Sequence, residues 1–163
     1  MSTHVALVNR GKIVQIGDAE DLYRRPESLF AAHFIGEGSF FEGLCVRASG
    51  GHAEIRIGNL RFLCVDADCK AGQRAVVLVR PEDCQIVSSG GTFSGVIATC
   101  AFLGSHYEVT ASTSFGTVRL HSNTPLRVGE PVQLRISANA GVSFGIDERS
   151  TSHVLGPDVM NKG

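Results

Sequence analysis

Apolar and polar positions recur along this chain with two different periods. From His4 to Gly36 the pattern is that of a hairpin followed by helices. Val5-Ala6-Leu7-Val8 and Ile13-Val14-Gln15-Ile16 are strand-like runs, Asn9-Arg10-Gly11-Lys12 supplies the turn between them, and Gly17 closes the second. Asp18 then stands where a helix can begin. Its carboxylate can accept from the Asp21 backbone N–H, while Glu20 and Asp21 place negative charge in the first turn. Leu22 and Tyr23 give that helix an apolar face. Pro26 is placed to open a second helix, in which Leu29, Phe30, His33 and Phe34 recur at helical spacing before Gly36 ends it. The region spanning residues 1–38 therefore reads β-β-α-α.

After Gly38 the period changes to two, in short runs punctuated by glycine. Strands are predicted at Phe40 to Arg47, Ala53 to Ile57, Leu60 to Val65, Ala75 to Arg80, Cys84 to Val87, Gly95 to Phe102, Tyr107 to Ala111, Thr117 to His121 and Pro131 to Ser137. Such even, short spacing predicts a mainly β fold of small closed antiparallel barrels over about residues 39–146, rather than one large sheet. Beyond this, Glu148-Arg149-Ser150-Thr151-Ser152 and Gly156-Pro157 predict a flexible tail over residues 147–163.

Composition narrows what such a fold could do. The 163 residues are 43% hydrophobic and 19% charged, enough apolar material for a sizeable core. A formal net charge of −1 gives no broad field for nucleic acid or an anionic membrane, and zero Trp with two Tyr leaves few platforms for stacking bases. No run approaches the ~20 apolar residues that cross a bilayer, and no basic region followed by an apolar run opens the chain. A soluble, unexported chain without direct membrane insertion is expected. The five cysteines, Cys45, Cys64, Cys69, Cys84 and Cys100, form no C-x-x-C pair or zinc pattern. Most are expected to be small buried residues in a reducing cytoplasm, with no metal and no disulfide framework.

The residues also carry a resemblance. Val8-Asn9-Arg10-Gly11-Lys12-Ile13-Val14-Gln15-Ile16-Gly17, then Leu22-Tyr23-Arg24-Arg25-Pro26 and Phe34-Ile35-Gly36, resemble the end of the nucleotide-binding domain in ABC-importer ATPases. The second region resembles that family's accessory module, the transport-associated OB-type (TOBE) domain. Its marks are Phe40-Phe41-Glu42-Gly43, Leu78-Val79-Arg80-Pro81-Glu82, Gly95-Val96, Phe102-Leu103-Gly104-Ser105-His106-Tyr107 and Val128-Gly129-Glu130-Pro131-Val132. The resemblance covers residues 4 to about 146 and is nearest to importers of polyamines, iron and related small solutes. It implies two OB-like sub-barrels and an accessory or regulatory role. It also implies as partners an ATPase subunit, a membrane permease and a second copy in a homodimer, with a cytoplasmic place peripheral to the inner membrane.

The ATP-hydrolysing parts are missing from the sequence. No G-x-x-x-x-G-K-[ST] string can cradle phosphates, and Gly11-Lys12 is followed by Ile13. Phe62-Leu63-Cys64-Val65-Asp66 imitates a Walker B strand without the following acidic residue, and Ser88-Ser89-Gly90-Gly91 imitates the signature without a helix to open. No catalytic or cofactor-binding residue is therefore assigned, no cofactor is expected, and the chain is not expected to be an enzyme.

Four residues remain as possible ligand or partner contacts. Arg80 and Glu82 flank Pro81 at the end of an apolar strand, either as an anion or partner contact or as a structural corner locked by a salt bridge. His106 and Tyr107 follow Gly104 in a turn that could reach a solute, or else form a packed tyrosine beside an exposed histidine. His33 has no second ligand at i+4 and reads as a packing or solvated residue. An alternative function is a small-solute or oxyanion-binding OB-type module. In either case the hairpin should leave an unpaired edge and apolar surface exposed, since the resemblance implies that it packs on an ATPase core.

Overall fold

The structure, a computed structural model, describes residues 4–147. The predicted tail lies outside them beyond Asp147. Strands β1 (His4–Asn9) and β2 (Lys12–Asp18) pair antiparallel around a two-residue turn. Arg10 at φ 49° and Gly11 at φ 77° both take the left-handed backbone that such tight hairpins need. Helix α1 (Ala19–Arg24) follows at once, and the Asp18 carboxylate accepts from the Asp21 N–H at 2.8 Å as the sequence suggested. Helix α2 (Leu29–Phe34) begins later than predicted. Ser28, not Pro26, caps it, its hydroxyl accepting from the Ala31 N–H at 3.2 Å. The cause is Gln15, a buried side chain of β2 that donates to the Arg25 carbonyl and accepts from the Glu27 N–H, both at 3.0 Å. Those bonds hold residues 25–27 in an irregular connection, so helix starts only beyond it.

The rest of the described chain is two five-stranded units. The first is a closed barrel of β3 (Ser39–Ser49), β4 (His52–Ile57), β5 (Leu60–Asp66), β6 (Arg74–Val79) and β12 (Val142–Gly145), in the order β12-β5-β4-β3-β6. The second is a sheet of β7 (Cys84–Val87), β8 (Phe93–Phe102), β9 (Tyr107–Thr113), β10 (Gly116–Ser122) and β11 (Pro131–Ile136), in the order β10-β9-β8-β11-β7. Its outer strands β10 and β7 approach each other, so the sheet rolls toward closure. The fold is mainly β and OB-like.

The two units are interleaved. After β6 the chain crosses by a 3-10 turn at Pro81–Asp83, builds all of the second sheet, and returns to close the first barrel with β12. That last strand pairs parallel with β5 and antiparallel with β6. It was not predicted, because Val142-Ser143-Phe144-Gly145 is four residues long and its first three are all buried, which leaves no alternation to read.

One core runs through both units. Phe41 from β3 meets Phe93 from β8 edge-on at 6.3 Å, and Phe93 meets Phe115 from the β9–β10 turn at 6.1 Å. A second cluster lies outside the first barrel, where Leu78, Val142 and Phe144 pack against Ala32 of α2. Strand β6 is thus buried on both faces from Ala75 to Val79. The hairpin and helices own only a small core of Leu7, Leu22 and Ala31.

Candidate functional site: the Arg80 corner and the β8–β9 hairpin tip

Arg80 follows directly on β6, and Pro81 fixes the turn that comes next. The turn sends neighbouring side chains apart, leaving Arg80 5% exposed and Glu82 in solvent. The guanidinium lies over the Tyr23 ring, 4.1 Å from its centroid. Nη1 donates to the carbonyls of Gly36 (3.2 Å) and Glu37 (2.8 Å), and Nη2 and Nε donate to that of Tyr23 (2.9 and 3.3 Å). Arg80 and Glu82 do not form the ion pair expected of a salt-bridged corner. Glu82 instead accepts from the Tyr23 hydroxyl at 3.0 Å. Both residues thus reach back to the hairpin-helix unit, Arg80 to its backbone and Glu82 to its one tyrosine.

Burial sets the electrostatics here. It draws the Arg80 guanidinium below its ordinary pKa, although such a group keeps its charge at any physiological pH. The Tyr23 phenol is pushed up to about 12, first by burial and then by its bond to Glu82. Burial raises the Asp83 carboxyl as well, with Glu82 beside it adding to the effect. A cavity of about 170 Å³ opens at this corner, walled by Arg24, Arg80, Glu82, Asp83, Asn139 and Gly141. A second arginine clamps the same linker, the Arg119 N–H donating to Ser39 Oγ at 2.8 Å and its guanidinium reaching Glu37 (3.4 Å) and Glu108 (3.3 Å).

At the other predicted site, Leu103 donates its N–H to the His106 carbonyl at 2.9 Å, closing a turn in which Gly104 takes φ 94°. Tyr107 is half-buried against the core, its ring 5.0 Å from that of Phe102. His106 is also half-buried, with Nδ1 2.9 Å from Ser105 Oγ and its ring 4.3 Å from that of His121. No hydrogen bond or ring contact among the described residues joins this tip to the Arg80 corner. Sequence reasoning named neither Tyr23 as the platform for Arg80 nor His121 as the neighbour of His106. The first pair lies 57 residues apart and no local signal connects it.

His33 stacks on Phe40 with centroids 3.9 Å apart, and burial lowers its pKa. All five cysteines are free thiols. Burial pushes the Cys64, Cys69 and Cys84 thiols up to about 12, which keeps them from acting as thiolates at neutral pH.

Residues 77–144 match the TOBE domain family, a span that runs from within β6, through the whole second sheet, to β12. Over 140 residues the chain is 36% identical to the spermidine/putrescine import ATP-binding protein PotA of Desulfitobacterium hafniense, covering 85% of this chain and 39% of that protein. Over 137 residues it is 32% identical to PotA of Clostridium acetobutylicum, covering 83% and 38%. The chain thus spans less than two fifths of the length of these relatives. Among solved structures, the cytoplasmic molybdate-binding protein ModG superposes with a TM-score of 0.51 at 17% identity, covering 67% of this chain and 96% of that one, a likeness of fold. Residues 77–144 are therefore a TOBE domain, and the chain corresponds to the TOBE-bearing region of ABC-importer ATP-binding subunits.

Proposed function

We propose that the chain serves as an accessory, regulatory module of an importer's ATP-binding subunit, acting by contact with a like chain or a regulator and not by hydrolysing ATP. The observation that carries this reading is a division of labour. Arg80 fastens the hairpin-helix unit to the barrels from inside, while Val5, Val8, Ile13, Ile16 and Phe34, between 46% and 67% exposed, leave that unit an apolar outer surface. Apolar surface of that kind marks a contact with another protein. The relatives are named import ATP-binding proteins, and we extend the reading to an ATPase partner and a membrane permease, with the chain held at the cytoplasmic face of the inner membrane. No helix of the described residues is long and apolar enough to cross a membrane.

Sedimentation velocity over a wide concentration range is the test. A monomer–dimer equilibrium is expected, shifted to monomer by Ile13→Glu with Ile16→Glu. A parent chain that stays monomeric at high concentration would remove the homodimer from the proposal. In the same preparation, titration calorimetry with Mg-ATP should give no saturable heat.

A second reading, small-oxyanion binding, has two supports: Arg24 and Arg80 in the cavity wall, and the molybdate-binding character of ModG. The carboxylates of Glu82 and Asp83 in the same wall weigh against it. A molybdate-dependent rise in melting temperature that vanishes in Arg24→Ala would establish it.

A further inference from the structure

The geometry points to a divalent transition-metal site at His106 and His121, open to solvent and suited to Cu(II) before Ni(II) and Zn(II). The two residues come from different elements. His106 ends the β8–β9 turn, and His121 lies on β10 opposite Glu108 of β9. Along β9 and β10 the inward positions are Val109, Ala111, Val118 and Leu120, so Glu108, Arg119 and His121 face outward. His106, two residues before Glu108, falls on that same side.

The ring centroids stand 4.3 Å apart with planes at 55°. A metal bonded to one nitrogen of each ring at about 2.0–2.1 Å sits about 3.2 Å from each ring centre. Two such centres are then about 4.5 Å apart at a right angle and about 5.2 Å apart at the tetrahedral angle. Centroids 4.3 Å apart let one nitrogen of each ring reach a common ion, at a spacing nearer the right-angled value than the tetrahedral one. Imidazole suits Cu(II), Ni(II) and Zn(II), and the general order of affinities puts Cu(II) first.

The surroundings supply a second argument. Ser105 Oγ lies 2.9 Å from His106 Nδ1. When Nδ1–H donates to that oxygen, Nε2 keeps its lone pair, the arrangement by which a partner in the next shell fixes the tautomer of a ligating histidine. The Glu108 carboxylate is held by Arg119 at 3.3 Å, and no group of three or more protein ligands gathers among the described residues. The pair therefore fills two coordination positions, and water takes the rest. Nothing in the sequence pattern announces it, since the histidines are 15 positions apart on separate strands.

The experiment titrates the full chain with Cu(II) supplied as its glycine complex. Every protein carries His4→Ala, so that copper taken up near the amino end is not counted. One Cu(II) per chain is expected, with nitrogen hyperfine structure from two imidazoles in its paramagnetic resonance spectrum. His106→Gln and His121→Gln should each abolish saturable binding, Ser105→Ala should weaken it about tenfold, and His52→Gln should leave it unchanged. The proposal is overturned if either glutamine variant binds Cu(II) as tightly as the parent, or if Zn(II) binds more tightly than Cu(II). Circular dichroism of the variants checks that these surface changes leave the fold intact.

Discussion

The hairpin-helix unit and the barrels reach stability by opposite routes. In the barrels a continuous core passes through Phe41, Phe93 and Phe115, and β6 is buried on both faces. Each strand is held by its neighbours, and the late return of β12 closes the first barrel around the start of the chain's own fold. By contrast the hairpin unit buries little more than Leu7, Leu22, Ala31 and Ala32, and much of its apolar surface stays in water. Its attachment adds a set of polar bonds to the packing of Leu29 and Ala32 against Leu78, Val142 and Phe144. One guanidinium bonds three of its carbonyls, one tyrosine bonds Glu82, and Arg119 holds the linker at Glu37 and Ser39. A region with a small core of its own is thereby tied down by charge-assisted bonds, which depend on distance and angle far more than apolar packing does.

That contrast can be tested by breaking each side. The largest effect is expected from Phe93→Ala, which removes the ring joining the two barrel units and should cost about 3–5 kcal/mol. Chemical denaturation should show both units failing together; a transition split between residues 39–79 and 84–136 would mean that the core is not shared.

Arg80→Ala comes next. It leaves the carbonyls of Tyr23, Gly36 and Glu37 without their donor, at about 1–3 kcal/mol for each that water does not reach. Hydrogen exchange should rise across residues 4–36 while β3 to β12 remain protected. Uniform loss of protection throughout the chain would place Arg80 in the barrel's own stability instead. Arg80→Lys should recover only part of the loss, because an ammonium cannot reproduce the planar fork over Tyr23.

The smallest effect concerns Tyr23 and Glu82. Their bond is exposed, so a double-mutant cycle of Tyr23→Phe and Glu82→Ala should give a coupling of about 1 kcal/mol or less. It also has a pH signature. The phenol is raised from 10.0 to about 12 in the folded chain, so its contribution is complete below pH 10 and is lost as pH rises through about 12. Melts across that window should fall more steeply for the parent than for Tyr23→Phe. Parallel curves would show that the hydroxyl adds nothing to the attachment.

What the amino-acid sequence determined by itself was local. Alternation and glycine turns placed nine barrel strands close to their observed bounds, the β1–β2 hairpin followed from its turn, and the Asp18 cap followed from its spacing to Asp21. These features depend on residues within a few positions of one another, where backbone preference and hydrogen-bond reach suffice. The dispersed motifs of the TOBE domain were legible for the same reason. Tertiary structure decided the rest. The start of α2 moved to Ser28 because Gln15, on another strand, took the backbone groups that a helix from Pro26 would have used. The side chains of Arg80 and Glu82, adjacent to Pro81 and opposite in charge, went to different partners because Tyr23 and the Gly36 and Glu37 carbonyls offered better-placed bonds. β12 could not be read from a four-residue run with three buried positions, since its identity lies in the seam it closes between β5 and β6. His106 and His121 became neighbours only when β9 and β10 set their register. A side chain's partner depends on distances across the folded chain, and no pattern confined to one strand contains them.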